Sequence, residues 1–578
     1  MWISVLLAAA AAAGPDLSTV AERSGDLRTG RYEEVVSLCA AFERAYPRKT
    51  KCTRFGTSPE GRPLLALVAS EDGVLDPASA RRKKRPVLLL QGGIHAGEID
   101  GKDAGFRVLR EALAGRAAPG ALHAATVVFV PVFNVDGHER VTRWNRPNQR
   151  GPEEMGWRTT AQNLNLNRDY AKADAPEMHA MLALLLAWDP VLYVDLHVTD
   201  GAKFRHDVSI TVEPSVVPGM PLQEPARKLR RDVTSRLARG GHLPVEFYPA
   251  FVVDDDPSSG FAMGTAPPRL SIQYWGWRDR LGLLVETHSW HRYPERVKAT
   301  YDTLVAVLET ARTDAASWLT AIGAADLRRK KIGGESVGLN FVSGDAQETI
   351  DFLGYAYQRG PSTLSGGTRI VFDESTPQTW RVPLKTDIKA VLTVRAPRAG
   401  YLVPPAYAPL YKEKLALHGF ASVSVPAPRR NLAVEAFQTT EVQVATTSYE
   451  GHQRAEVKGT WAPATRDLPA GSLFVPVAQP GAPLLLHLME PTAPDSLVAW
   501  GFLNAVFEQK EYMESYVAEE IGEAMLRDDA AVRAEFEKAL ADPAFAADPR
   551  QRLDFFYRRS PYWDTAKDVV PLLRVDAF

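Results

Sequence analysis

A chain of 578 residues is too long for one hydrophobic core, and at roughly 100 to 200 residues per domain it should hold at least two large ones. Its 68 basic and 70 acidic side chains nearly cancel, which argues against the long-range field that gathers proteins on nucleic acid or acidic membranes. The only cysteines, Cys39 and Cys52, exclude a disulfide-dense scaffold; an exported chain could pair them and a cytosolic one would keep two thiols.

In chain order, Met1 to Leu7 followed by Ala8 to Ala13 and Gly14 form an apolar run ending in small residues. It resembles a secretion signal, although it lacks a basic n-region, and it is short for a membrane span. The basic run Arg81 to Arg85 precedes Pro86 and a buried strand and reads as a solvated loop. From about Ala21 to Ala325, short apolar runs alternate with helical patterns: the strand Val87 to Leu90, a helix near Asp100 to Leu113, the strand Thr126 to Val132, a helix over Glu177 to Ala187, the strand Val191 to Leu196, the strand Gly282 to Val285, and a long helix near Val297 to Leu319. Crossover helices of this kind predict a mostly parallel or mixed sheet. After Lys330-Lys331-Ile332-Gly333-Gly334, period-two segments broken by Pro and Gly (Lys389 to Val394, Ala421 to Val425, Val442 to Thr446) predict a β-rich region, and Val498 to Phe507, Val517 to Leu526 and Ala531 to Leu540 predict terminal helices.

The chemistry concentrates at strand ends. Gln91 to Glu98 carries His95 and Glu98 three residues apart, a spacing that across one turn lets an imidazole and a carboxylate converge on one ion. His197 ends a buried strand about a hundred residues later and would complete a His2Glu set with one position open to water, as a catalytic zinc requires. Glu286 sits at the end of Leu283-Leu284-Val285, where a carboxylate could act as general base. The alternating stretch Asn163 to Tyr170 would align Asn165 with Asn167 and offset Arg168; an Asn-Arg pair can grip a carboxylate.

His95-x-x-Glu98, Asn167-Arg168, His197 and Glu286 occur in the order of the zinc metallocarboxypeptidases of the carboxypeptidase A type, and the stretch from about Pro86 to Thr287 resembles that superfamily. The resemblance implies a mixed eight-stranded sheet flanked by helices, one Zn2+ held by His95, Glu98 and His197, water activation by Glu286, and a peptide substrate whose terminal carboxylate is held by Asn167 and Arg168. The expected organisation is a signal peptide over 1–14, whose apolar run argues for an exported, periplasmic or extracellular location, a catalytic domain over 15–328, and a β-rich domain over 329–578 that ends in helices. The chain departs from the family pattern at Asn165, where an Asp usually orients the first zinc ligand. Among Arg143, Arg146 and Arg150 as partner of the developing oxyanion, Arg146 is favoured. The mobile tyrosine that normally precedes the catalytic Glu has two candidates, Tyr248 and the nearer Tyr274, of which Tyr274 is preferred.

Other conspicuous residues read as structural: His138, His179, His206, His288 and His291 as buried or exposed histidines, Glu177 as a first-turn acid at a helix start, and Asp254 to Asp256 as a solvated loop. Ser289 beside His288 is not the spatial arrangement that a nucleophilic triad needs. Three functions follow: a zinc peptidase, a zinc amidase or deacylase on N-acyl amino acids or cell-wall peptides, and a binding protein with a degenerate site.

Overall fold

The structure, a computed structural model, describes residues 15–578; the apolar run read as a secretion signal lies outside the described residues. Among the described residues up to His288 there are nine strands: β1 (Thr50–Thr57), β2 (Pro63–Ala69), β3 (Val87–Gln91), β4 (Thr126–Val130), β5 (Leu192–Thr199), β6 (Val208–Glu213), β7 (Pro244–Val245), β8 (Phe261–Ala262) and β9 (Leu281–His288). All but β8 form one mixed eight-stranded sheet in the order β1-β2-β4-β3-β5-β9-β6-β7. Its centre, β4-β3-β5-β9, is parallel. Both faces of β3 and β5 are buried, as the continuous apolar runs Val87 to Leu90 and Val191 to Val194 require of strands covered on both sides.

Helices Tyr32–Ala45, Asp100–Leu113, Gln223–Arg239 and Tyr293–Arg329 pack on one face around Leu88, Leu90, Val194 and Val285. The long final helix exceeds its predicted span at both ends. Helix Pro176–Trp188 covers the other face around Leu89 and Tyr193, and the same cluster runs on into Tyr401, Tyr411 and Leu485 of the C-terminal region. The C-terminal region therefore shares a core with the sheet. Cys39 and Cys52 are joined by a disulfide that ties helix Tyr32–Ala45 to β1.

Beyond Arg329 the chain is β-rich, as expected. Strands β10 (Ser336–Ser343) and β13 (Ile388–Arg395) pair with each other, while β11 (Gln347–Pro361) and β12 (Thr368–Lys385) form a long hairpin whose end pairs in parallel with β8. A six-stranded sheet follows, made from β14 (Gly400–Val403), β15 (Val423–Ser424), β16 (Arg429–Val444), β17 (Ala455–Leu468), β18 (Leu473–Pro476) and β19 (Val569–Val575). Helices Ser515–Asp528 and Ala530–Leu540 match expectation.

Three local expectations are corrected. Val498 to Phe507 is a series of turns with a 3-10 segment only over Asn504–Phe507, because Gly501 sits at φ +80° and breaks the helix that the apolar spacing suggests. The strand expected over Ala421 to Val425 shrinks to Val423–Ser424, since only those residues find a partner in β18. The alternating stretch Asn163 to Tyr170 is no strand; Leu166–Arg168 is a 3-10 turn, started by the Asn165 side chain, which accepts the Asn167 N–H at 3.0 Å. Asp256 pairs with Arg359 and caps the turn after it, so Asp254 to Asp256 form the surface loop expected.

One buried cluster makes stability pH-dependent. Both ring nitrogens of His242 are hydrogen-bonded to carboxylates, Asp207 at 2.6 Å and Asp302 of helix Tyr293–Arg329 at 2.8 Å. Asp207 first, and Asp302 next, push its pKa up to about 9. An unfolded histidine titrates near pH ~6.5, so this stabilisation is complete below that pH and is lost as pH rises through about 9. We expect His242→Gln to lower Tm most near pH 6, with the gap to the unmutated protein closing towards pH 9.5; a gap independent of pH would refute the assignment.

Candidate active site

The site is assembled at the carboxyl ends of β3, β5 and β9, where ligands of open α/β sheets gather. After β3 the chain turns sharply: Gly93 adopts φ +61°, and the Glu98 N–H bonds the His95 carbonyl at 2.8 Å. His95 and Glu98 thus share one side of a tight turn just ahead of helix Asp100–Leu113, and not the helix itself. Gly97 between them lies against the Arg146 stem and the Gly156 carbonyl; a Cβ there would stand 2.6 Å from Arg146 Cγ and 2.7 Å from Gly156 O. Glycine is therefore required for Arg146 to approach.

His197 belongs to β5 and lies beside Glu286 of β9 in parallel register. The ligand atoms of His95, Glu98 and His197 lie within 4.8 Å of one another. His95 Nδ1 and His197 Nδ1 face different oxygens of the Glu98 carboxylate, each at 3.0 Å. The opposite ring nitrogens are held from behind: His95 Nε2 lies 3.2 Å from Asn165 Oδ1 and His197 Nε2 lies 2.8 Å from Asp195 Oδ2. Two imidazoles with Nδ1 turned inward and Nε2 tethered, together with a carboxylate, fit a zinc ion, because outer hydrogen bonds fix the tautomer and the ring plane.

Electrostatics follow from burial. Burial pulls His95 down to about 4. Burial alone would raise the Glu98 carboxyl, but His95, Arg146 and His197 outweigh it and hold it well below its ordinary value. For His197 burial is outweighed by Asp195 and Glu98, which hold the ring well above the usual histidine range. Glu286 is 7% exposed, and burial pushes its carboxyl up to about 8. Its Oε2 is buried without a hydrogen-bond partner among the described residues, an unsatisfied polar atom of the kind that calls for a functional explanation.

Arg146 Nη2 lies 2.8 Å from Glu98 Oε1, whereas Arg143 stacks on exposed Trp144 and Arg150 pairs with Glu374. The structure therefore brings Arg146 alone of the three to the metal ligands. Asn167 and Arg168 line the adjoining cavity; Asn167 Oδ1 accepts the Ser271 N–H at 3.1 Å, and Arg168 bonds the Asn167 carbonyl at 2.7 Å.

Tyr274 must be corrected. It lies in helix Ser271–Trp277, 1% exposed, with its hydroxyl bonded to His418 Nδ1 at 3.0 Å and its ring against Tyr170, so it has no path to the cavity. Tyr248 is the tyrosine at the site: the residue is 46% exposed, its hydroxyl lies 3.0 Å from Thr199 Oγ1, and burial of that hydroxyl followed by the Glu286 charge push it up to about 12. Proximity in sequence to Glu286 misled because Tyr274 faces inward from its helix.

Sequence reasoning also missed Asp195, Arg158 and Glu213. Asp195 stands two residues before His197, on the same face of β5, and its other contacts are Gln91 Nε2 at 2.9 Å and the Ser271 hydroxyl. That period-two spacing was the available signal. Arg158 Nη1 reaches Glu98 Oε1 at 3.4 Å. Glu213 ends β6 and lines the cavity of about 500 Å³ that opens beside Glu286. It is 2% exposed, accepts the Thr265 hydroxyl at 2.7 Å, and is pushed by burial up to about 7. The histidines set aside on sequence lie away from this centre: His138 on the Gly30 carbonyl, His179 on the Ala173 carbonyl, and His206, His288 and His291 around the aromatic cluster of Phe204 and Trp290. Glu177 does start a helix, yet it is fully buried and pushed by burial up to about 7.

Asp195 yields a direct expectation. Asp195→Asn keeps the shape but removes the charge that orients His197, and should weaken zinc affinity ~10- to 100-fold. Competition with a chromogenic chelator measures it; an unchanged affinity would show that Asp195 is structural only.

Residues 35–209 match the family model described as zinc carboxypeptidase. The matched span includes His95, Glu98, Arg146, Asn167, Arg168 and His197 and ends before Glu286. Among solved structures, a metallo-carboxypeptidase from Burkholderia cenocepacia is 17% identical over 49% of this chain and 69% of its own, with a TM-score of 0.36. Carboxypeptidase A from Helicoverpa armigera is 17% identical over 50% and 73%, also with a TM-score of 0.36. No curated protein matches the chain.

Proposed function

We propose, from the match of residues 35–209 to the zinc carboxypeptidase family model, that the protein is a zinc-dependent peptidase that removes residues from the C-termini of peptides. The observation that carries this reading is the convergence of His95, Glu98 and His197 beside the unpartnered Glu286 oxygen. His95, Glu98 and His197 would hold a zinc ion, which would supply Lewis acidity at this point.

Glu286 takes the proton from the attacking water and returns it to the leaving amine, the work of a carboxylate placed as general base beside the ligand cluster. Arg146, held at Glu98, supplies positive charge for the developing oxyanion. Asn167 and Arg168 bind the terminal carboxylate, with Arg168 offering a planar fork of donors. Tyr248, at the cavity edge, takes the place that sequence gave to Tyr274. The cavity beyond Glu286 receives the last side chain, and Glu213 within it supports side chains that end in a hydrogen-bond donor.

In this reading residues 15–328 form the catalytic domain, and residues 329–578 a β-rich domain that leans on it. The Cys39–Cys52 disulfide supports export, and no described helix is long and apolar enough to cross a membrane. The test is zinc content together with mass spectrometry of a mixed peptide library. We expect one zinc per chain and products shortened from free C-termini, with C-terminally amidated peptides resistant. Zinc without trimming would replace the peptidase reading with an amidase or deacylase, and failure to take up zinc would end it.

A further inference from the structure

The C-terminal region adds no strand to the eight-stranded sheet, yet its side chains hold the segment Asn165 to Asp174 along its whole length. At one end Glu450, in the turn between β16 and β17, accepts the Asn165 backbone N–H at 2.9 Å. At the other, His452 of the same turn bonds Asp174 at 2.7 Å, and Lys414 donates to the carbonyls of Lys172 and Ala173 at 2.6 and 3.0 Å. Between them His418 Nε2 reaches the Ala171 carbonyl at 3.1 Å.

The Glu450 end is the one that touches chemistry. Asn165 is 7% exposed, so its N–H needs a protein partner, and the bond fixes the peptide plane that enters the residue. From there the Asn165 side chain does two things at once: Oδ1 meets His95 Nε2 at 3.2 Å and accepts the Asn167 N–H at 3.0 Å, starting the 3-10 turn that presents Asn167 and Arg168 to the cavity. A single amide oxygen thus sets both a metal ligand and the substrate-carboxylate pair. An amide is a weaker partner for a histidine than a carboxylate, so its placement matters more here than charge. The family match ends far upstream of Glu450.

We propose that Glu450 is a positioning residue for the active site, through which the C-terminal region sets the orientation of His95 and of the Asn167-Arg168 turn. The proposal rests on the peptidase reading for its kinetic consequence only. Without the carboxylate, the peptide plane before Asn165 rotates and its side chain leaves His95, while the β16–β17 turn stays anchored through His452.

The test compares Glu450→Ala, Glu450→Met and Glu450→Gln in the full chain. Ala and Met lack an acceptor and should weaken zinc binding ~3- to 10-fold, less than a direct ligand partner costs, and raise KM for a free-C-terminus peptide by a similar factor with kcat changed less. Gln keeps an acceptor oxygen and should stay within about twofold of the unmutated protein on both counts. Amide hydrogen exchange over residues 163–170, which needs neither metal nor substrate, should speed up in Ala and Met and not in Gln. Equal zinc affinity, KM and exchange in all four proteins would overturn the proposal. If Ala does not fold, Met against Gln decides it by the same readings. A wild type that binds zinc without cutting peptides defeats the peptidase reading and leaves the affinity and exchange comparisons to judge Glu450.

Discussion

Replacing Glu286 by Gln should lower kcat for peptide hydrolysis by ~10² to 10⁴, the range by which a positioned general base accelerates proton transfer, while zinc content stays at the unmutated level. The substitution is nearly isosteric. Glu286 is buried beside His197 and hydrogen-bonded at neither side of Oε2, so the amide meets the same walls and loses only its capacity to accept a proton. Glu286 is not among the three candidate ligands, and zinc affinity is expected to fall by no more than a few-fold. Steady-state kinetics and metal analysis on the same preparation separate the effects. A variant with full zinc and activity within threefold of the unmutated protein would remove Glu286 from the mechanism.

The largest effect on stability is expected behind the site, at Arg296. This guanidinium is fully buried; it pairs with Asp100 at 2.9 Å and donates to the carbonyls of Arg150, Gly151 and His291 at 2.9, 2.8 and 2.6 Å. Asp100 opens the helix after the His95 turn and also accepts the Thr287 hydroxyl at 2.9 Å. Truncation to Ala leaves a carboxylate and three carbonyls buried without their donor, a loss of ~3 to 5 kcal/mol for the broken pair, out of a usual total of ~5 to 15 kcal/mol. Urea unfolding at pH 7 should register it as a lower midpoint with an unchanged slope. Arg296→Met combined with Asp100→Asn should recover part of the loss, because no uncompensated charge remains. A loss under ~1 kcal/mol in Arg296→Ala, the scale of an exposed ion pair, would mean the pair is hydrated and not the strut the contacts suggest.

What the sequence made legible were features carried by local period and spacing. The strands β3, β5 and β9 announce themselves as apolar runs with a His or Glu in them or just past their ends, and His95 with Glu98 needs only one turn to converge. Arg146 was separable from its neighbours only by its contacts, since Arg143 and Arg150 have the same charge and lie in the same loop. Tyr274 shows the opposite failure: distance along the chain from Glu286 was the criterion, whereas helix phase decides which way a ring points. Gly501 broke an apolar pattern because φ overrides periodicity. Asp195 was readable and passed over. Glu450 was not readable at all, because a contact across 285 residues leaves no local trace.

The parallel pairing of β8 with the end of β12 gives the molecule a chronology. Phe261 and Ala262 meet Leu384 and Lys385, and the Met263 N–H bonds the Lys385 carbonyl at 2.9 Å. Ala262 and Met263 are part of the cavity wall. As the chain leaves the ribosome, N-terminal end first, the candidate ligands His95, Glu98 and His197 and the neighbouring Glu286 emerge before the strand that this wall leans on. The cavity wall accordingly gains this outer support only after all of its lining residues have been made.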